Sequence, residues 1–308
     1  MTAPPGSLSV RPRRNRRVHE VHLLGVEPRR SFSGVAAHTI EQAAMLLLVA
    51  VSLLPIYAML VTALKTTRDF QANMGSLAPP THPTLSKIVE AWTGLGFSQL
   101  VVNSLVLSVV SSAVVTAIAA PAGFALARMR FRGRRGILVA AVAMMSVPSI
   151  VIVLPLFNLF SQFHLVNTYP AAIIAEIGIN VPFGTYLIYT FMREIQPELF
   201  QAAQVDGASW IRQLWSIAVP LSRPALVTVA LVTTIYVWND LLIPLILWQN
   251  DSLRTLMVGL ATLAPGRAGA VDIPLVMAGV CISVIPIMFM YLLAQRAFVR
   301  GLVEGGVK

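Results

Sequence analysis

Lysine is nearly absent from this sequence. The three that occur, Lys65, Lys87 and Lys308, follow Leu64, Ser86 and Val307 rather than a glycine. The phosphate-cradling pattern G-x-x-x-x-G-K-[ST] therefore cannot be written anywhere along it. Cysteine is scarcer still. Cys281 alone excludes an intramolecular disulfide and any cysteine-based metal site, and inside an apolar stretch it reads as a small packing residue. Charge of either sign is sparse, 12% of 308 residues, against 56% hydrophobic residues and a mean hydropathy of +0.74. One soluble core cannot hide so much apolar surface, so the excess must face lipid. The net charge of +10 and pI of about 10.6 raise the question of nucleic acid. The basic residues, however, lie in tails and loops beside apolar stretches, and no nucleic-acid motif accompanies them. The charge reads as topological, with no nucleic-acid partner.

What is present is a series of apolar runs of the length a helix needs to cross a bilayer. They fall at about 43–64, 100–127, 137–160, 169–192, 224–247 and 273–293. The expectation is an all-α integral membrane protein with about six transmembrane helices. The first run is too long for a signal-peptide core and no A-x-A-like site follows it, so it reads as a retained anchor. Residues 65–98 form a polar segment broken by Ala78-Pro79-Pro80 and His82-Pro83-Thr84, read as an exposed loop. The second run carries Ser111, Ser112, Ala119, Ala120, Ala122 and Gly123, small residues that let helices approach closely in lipid. Gly178, Pro182 and Gly184 weaken the fourth run and predict a kink there. A loop over 248–271 leads to the sixth.

Residues 1–36 are polar and rich in Pro and Arg, with Arg11, Arg13, Arg14, Arg16, Arg17, Arg29 and Arg30, and read as a disordered cytoplasmic tail. His19 and His22 in that tail could share a helix face, but no Cys or further His lies close in sequence and no metal site is assigned. Six spans place both termini and the loops after spans two and four on one side. That side carries eighteen Lys and Arg, including Arg128, Arg130, Arg132, Arg134 and Arg135, against five on the other: Lys65, Arg68, Lys87, Arg254 and Arg267. The positive-inside rule then makes both termini cytoplasmic.

The longest cytoplasmic loop between spans, 193–223, reads as two short helices. Pro197 suits a first helical turn, Glu198 complements the positive end of the helix dipole, and Gly207 supplies a left-handed terminus. Ala202-Ala203, Gly207 after three intervening residues, Ile217 and Pro220 resemble the EAA loop of binding-protein-dependent ABC importer permeases. Asp206-Gly207-Ala208 strengthens the match, and the run from Pro197 to Pro224 is similar to the sugar-importer, maltose-transporter-type branch. Two positions depart: Gln201 stands where the family usually has Glu, which puts an ion pair there in doubt, and Val219 stands where Leu is usual. Further similarity runs through Asn103-Ser104-Leu105, Phe124-Ala125-Leu126-Ala127-Arg128, Leu154-Pro155-Leu156-Phe157, Pro182-Phe183-Gly184, Trp238-Asn239-Asp240 and the ending from Arg300-Gly301-Leu302 to Gly306-Val307-Lys308.

The resemblance implies a type I importer permease domain over 37–308 in a bacterial-type cytoplasmic membrane. It implies two ATPase subunits holding ATP and Mg, a second permease and an extracytoplasmic substrate-binding protein, with no cofactor in this chain. Glu198, Gln201, Ala202, Ala203, Asp206, Gly207 and Ala208 become the ATPase-coupling residues, the small ones letting a helix seat in a groove. No catalytic residue is assigned. Polar groups inside the spans mark a candidate translocation path: Asn103, Glu176, Asn180, Asn239 and Asp240. They could equally hydrogen-bond helix to helix. The competing class is an ion-coupled secondary carrier with Glu176 or Asp240 as its cation site, and among importers the alternative is a permease for a non-sugar solute.

Overall fold

The computed structural model describes residues 32–94, 96–263 and 271–306, with side chains over 38–94, 96–263 and 271–292. Residues 1–31 of the expected tail, Arg267, and the side chains of Arg296, Arg300 and Lys308 lie outside the described residues, while 32–36 are helical. Every regular element among those described is helical. The elements are α1 (Phe32–Ala63), α2 (Thr67–Ala72), α3 (Ser86–Val89, continued by a π turn at Glu90–Gly94), α4 (Phe97–Arg128), α5 (Arg134–Met145), α6 (Ser149–Gln162) and α7 (Tyr169–Glu194). They continue with α8 (Pro197–Val205), α9 (Trp210–Gln213, continued by a π turn at Leu214–Ala218), α10 (Val219–Leu221), α11 (Arg223–Asn239), α12 (Leu242–Leu247), α13 (Leu256–Leu263) and α14 (Ile273–Gly306).

The chain divides into two compact units, up to Leu54 and from Pro55 onward. The first holds the earlier part of α1, whose Met45, Leu46, Leu47, Leu48, Val51 and Leu53 are all exposed, a surface suited to hydrocarbon rather than water.

In the second unit α4, α7 and α11 pack together as the centre. Small residues make this possible, as α4 predicted: Ser111, Ser112, Ala119, Ala120 and Gly123 are buried. A Cβ on Gly123 would lie 2.6 Å from Ile188 Cγ2 and 2.9 Å from the Tyr189 backbone nitrogen. On Gly184 it would meet Ala119, Val229 and Val115 at 3.1–3.2 Å. Gly184 thus serves close packing, and α7 runs on as one continuous helix through Gly178, Pro182 and Gly184 to Glu194. Ser112 Oγ donates to the Ala230 carbonyl at 2.7 Å, a direct bond between α4 and α11.

The breaks fall in other spans. The expected third span divides into α5 and α6, bent by 101° at Ser146–Pro148. Proline has no N–H to continue the ladder and biases Val147 away from helical backbone. The expected fifth span stops at Asn239. Asp240 turns its Oδ1 and Oδ2 onto the N–H groups of Leu242 and Ile243 at 3.0 and 3.1 Å, starting α12 afresh. At 17 residues α11 is only about 25 Å long, short of the hydrocarbon core, and it forms a second bent pair with Trp210–Leu221 before it, the two lying at 76°. Among the described residues four helices are long and apolar enough to cross a membrane unaided, and the count reaches six when each bent pair is one span.

The segment expected as an exposed loop is folded. Lys65 is buried with its ammonium on the Ser76 carbonyl at 2.6 Å, and the Thr84 N–H returns to the Leu64 carbonyl. Asp272, just before α14, accepts from Thr67 Oγ1 at 3.0 Å and Lys87 Nζ at 2.7 Å, tying α2 and α3 to that helix.

Candidate coupling segment and intramembrane polar cluster

The loop over 193–223 is built as two helices at the end of the bundle. Pro197 occupies the first turn of α8 and Glu198 its acidic start. The end of α8 closes by backbone bonds alone. Ala208 N–H reaches the Ala203 carbonyl at 2.8 Å and Gly207 N–H the Gln204 carbonyl at 3.0 Å, with Gly207 at φ +75°. That pair of bonds is the Schellman arrangement, which needs a left-handed residue at the Gly207 position. Ser209 then caps α9 by accepting from the Arg212 N–H, and buried Gln213 donates its Nε2 to the Ala208 carbonyl. The turn between the helices is therefore a fixed corner.

One side of this hairpin is anchored. Phe200 is buried as a member of the apolar cluster that includes Phe124, Ile188, Met192 and Leu214, with the Phe124 ring 6.1 Å away. Burial of one such ring contributes about 2–3 kcal/mol. Trp210 packs edge-on to Phe124 at 6.3 Å. Ala203 and Ala208 are half-buried, whereas Glu198, Gln201, Ala202, Asp206 and Gly207 are exposed. The exposed side is apolar for a surface helix pair: Val205 is 88% exposed, Ile211 72% and Trp215 60%. The anchors Phe124, Phe200 and Arg128 were missed as site residues in the sequence, where Phe124 and Arg128 stood only at the two ends of a resembling run and Arg128 among five loop charges.

The intramembrane polar residues separate into three groups. Glu176 and Asn180 are buried one turn apart on α7, and Asn180 Nδ2 donates to the Glu176 carbonyl at 2.9 Å and to Glu176 Oε2 at 3.3 Å. The Asp240 carboxyl lies near Glu176, whose Oε1 is buried without a hydrogen-bond partner among the described residues. Asn103 is elsewhere. Its Nδ2 donates to the Ser252 and Arg254 carbonyls, both at 2.9 Å, while its Oδ1 accepts from Gln99 and from the Tyr169 hydroxyl. Asn239 is exposed and bonds back to Ile235 of its own helix at 2.7 Å.

Asn180 also lines a cavity of about 280 Å³ at the α5–α6 bend. Its polar walls are Asn180, Ser149 and Tyr236, and its apolar walls include Met144, Phe183 and Val232. Ser149 and Tyr236 carried no signal of their own, and Phe183 stood only within the resembling Pro182-Phe183-Gly184, because the bend beside the cavity was hidden in an apolar run.

The family model for binding-protein-dependent transport system inner membrane components matches residues 116–304. The chain belongs to that family. It is accordingly the permease component of an ABC importer, a transport subunit and a multi-pass membrane protein, and the carrier reading is set aside. The permease is 33% identical over 262 residues to the trehalose transport system permease protein SugB of Mycobacterium tuberculosis, covering 85% of this chain and 94% of that protein. It is 27% identical over 266 residues to the diacetylchitobiose uptake system permease protein NgcG of Streptomyces coelicolor, 86% of this chain and 87% of the relative. Its fold matches a chain in the crystal structure of a bacterial ABC transporter that imports the acidic polysaccharide alginate, with a TM-score of 0.74 at 19% identity over 87% of this chain and 98% of that one.

Proposed function

We propose that this permease passes a sugar or related polyol from an extracytoplasmic binding protein to the cytoplasm, driven by ATPase subunits that dock on α8 and α9. The observation that carries the docking is the hairpin itself: a rigid corner with one side anchored in the bundle and Val205, Ile211 and Trp215 exposed on the other. An exposed apolar patch beside a fixed corner is the kind of surface that takes a partner protein. In this reading Glu198, Gln201, Ala202, Ala203, Asp206, Gly207 and Ala208 form the contact, with the alanines and glycine allowing close approach. Gln201 contributes hydrogen bonds where a Glu would add charge.

Two ATPase subunits hold the ATP and Mg, for which this sequence has no phosphate loop. A second permease completes the pathway, and both termini face the cytoplasm, as the charge asymmetry supports. The path runs past Asn180, with Glu176 and Asp240 behind it. Amide and hydroxyl groups beside the faces of Phe183 and Tyr236 suit a ligand with hydroxyls on one side and C–H groups on the other. The trehalose and diacetylchitobiose relatives point to the same class. Asn103 and Asn239 are assigned to structure rather than to the path.

Purification from the native membrane in mild detergent, with mass spectrometry and an ATPase assay, tests this. A P-loop ATPase and a second permease should co-purify, with ATP turnover stimulated by a sugar-loaded binding protein. Recovery of a lone chain that transports without ATP would overturn it.

A further inference from the structure

Arg128 is the last residue of α4, and its side chain crosses to the point where α7 hands over to α8. Its Nη2 donates to the Met192 and Ile195 carbonyls, and its guanidinium carbon lies 4.3 Å from the centre of the Phe200 ring. Three elements therefore meet on one planar cation. The two carbonyls belong to the last turn of α7 and its C-cap, where helix geometry leaves carbonyls unpaired and a positive charge is favourable. Phe200 is the residue that seats α8 in the bundle.

Only Ile195 and Gln196 join α7 to α8, and Ile195 is extended, with φ −63° and ψ 137°. A two-residue extended link can hinge. The packing at Gly123 makes α4 and α7 one body, since Ile188 and Tyr189 leave no room for even a Cβ. Arg128, rooted in that body, bridges the hinge by holding the carbonyl on its α7 side and the face of the first buried ring on its α8 side. A displacement of α8 then moves α4 and α7 with it instead of being absorbed at Ile195–Gln196. Lysine could not replace this contact, because one ammonium lacks the flat surface that stacks on Phe200 while its N–H groups fork to two carbonyls.

We propose that Arg128 is a positioning residue that locks the α7–α8 link, so that motion imposed on the coupling helix by an ATPase reaches the transmembrane helices. This rests on the docking reading above. The test uses the whole transporter, with its co-purified ATPases, in proteoliposomes with a sugar-loaded binding protein, and reads substrate transported per ATP hydrolysed. In Arg128→Lys and Arg128→Met the ratio should fall at least tenfold while the ATPase still co-purifies. A wild-type ratio in both variants overturns the proposal, and loss of the ATPase from both overturns it too, because the residue would then serve assembly. Cross-linking from Val205→Cys in an otherwise wild-type chain separates the two readings. No cross-link to the ATPase sinks the docking reading and this proposal together, whereas a cross-link with unaltered Arg128 variants sinks this proposal alone.

Discussion

The Lys87 ammonium lies 2.7 Å from Asp272 Oδ2, a bond that spans 185 positions of sequence and fastens α3 to the start of α14. Glu90 adds a second carboxylate at 2.8 Å. Burial acts to lower the Lys87 pKa, but its hydrogen bonds to Asp272 and Glu90, with their charges, outweigh that and raise it above the ordinary 10.5. A raised pKa in the folded state means stabilisation that is complete below the unfolded value and is lost as pH climbs through the folded one. Asp272→Asn should cost roughly 1–3 kcal/mol at neutral pH, the range for a hydrogen bond to a charged group. The gap in thermal midpoint between wild type and Lys87→Met should stay constant from about pH 7 to 9 and close only above 10.5. A gap that closed on acidification from pH 9 to 7 would contradict this account of the ammonium.

Gly123 and Gly178 predict opposite outcomes for the same substitution. Gly123→Ala puts a methyl 2.6 Å from Ile188 Cγ2, with the Tyr189 backbone just behind, and overpacking of this kind costs about 1–3 kcal/mol. Gly178 has nothing within 4 Å of where its Cβ would be, and alanine is the better helix former by up to about 1 kcal/mol. Thermal denaturation in detergent should therefore show Gly123→Ala less stable than wild type and Gly178→Ala equal or more stable. The reverse order would mean that α4 and α7 do not meet at Gly123.

Local chemistry was legible along the chain where neighbours in sequence decide it. Pro197, Glu198 and Gly207 sit in the turn geometry their residue types predicted, because helix caps are settled within six residues. The small residues of α4 pointed correctly to close packing for the same reason. Gly184, read in the sequence as a residue that weakens its helix, shows the limit. Glycine permits both a bend and a close approach, and only the positions of Val115, Ala119 and Val229 decide that Gly184 makes the approach. Pro148 did mark the bend between α5 and α6, but the apolar residues on both sides masked it as one span. Asn103 could be read either for the path or for bonding between elements because its partners, Ser252 and Arg254, lie some 150 positions away.

Those partners make Asn103 a latch for the turn at Asp251–Leu253. Asn103→Ala leaves two backbone carbonyls and the Tyr169 hydroxyl without their bonds, each unmade buried bond costing about 1–3 kcal/mol unless water replaces it. Limited proteolysis should then cut near 250–254 faster than in wild type, and the thermal midpoint should fall. Loss of uptake with an unaltered cleavage pattern would instead return Asn103 to the substrate path.

Gly207 tests whether the corner between α8 and α9 must be left-handed. With φ at +75° and open space where a Cβ would project, a substitution meets backbone strain rather than a clash within this chain. Asparagine tolerates that conformation and a β-branched residue does not, a difference of roughly 1–2 kcal/mol. Gly207→Val should insert into the membrane at wild-type levels yet abolish transport, because the Schellman bonds from Gly207 and Ala208 open and the α8 face turns. Gly207→Asn should keep a measurable part of the activity if backbone geometry is the whole requirement. If both variants lose transport equally, the space beside Gly207 is filled by the partner, and the glycine is needed there for close approach as well as for its turn.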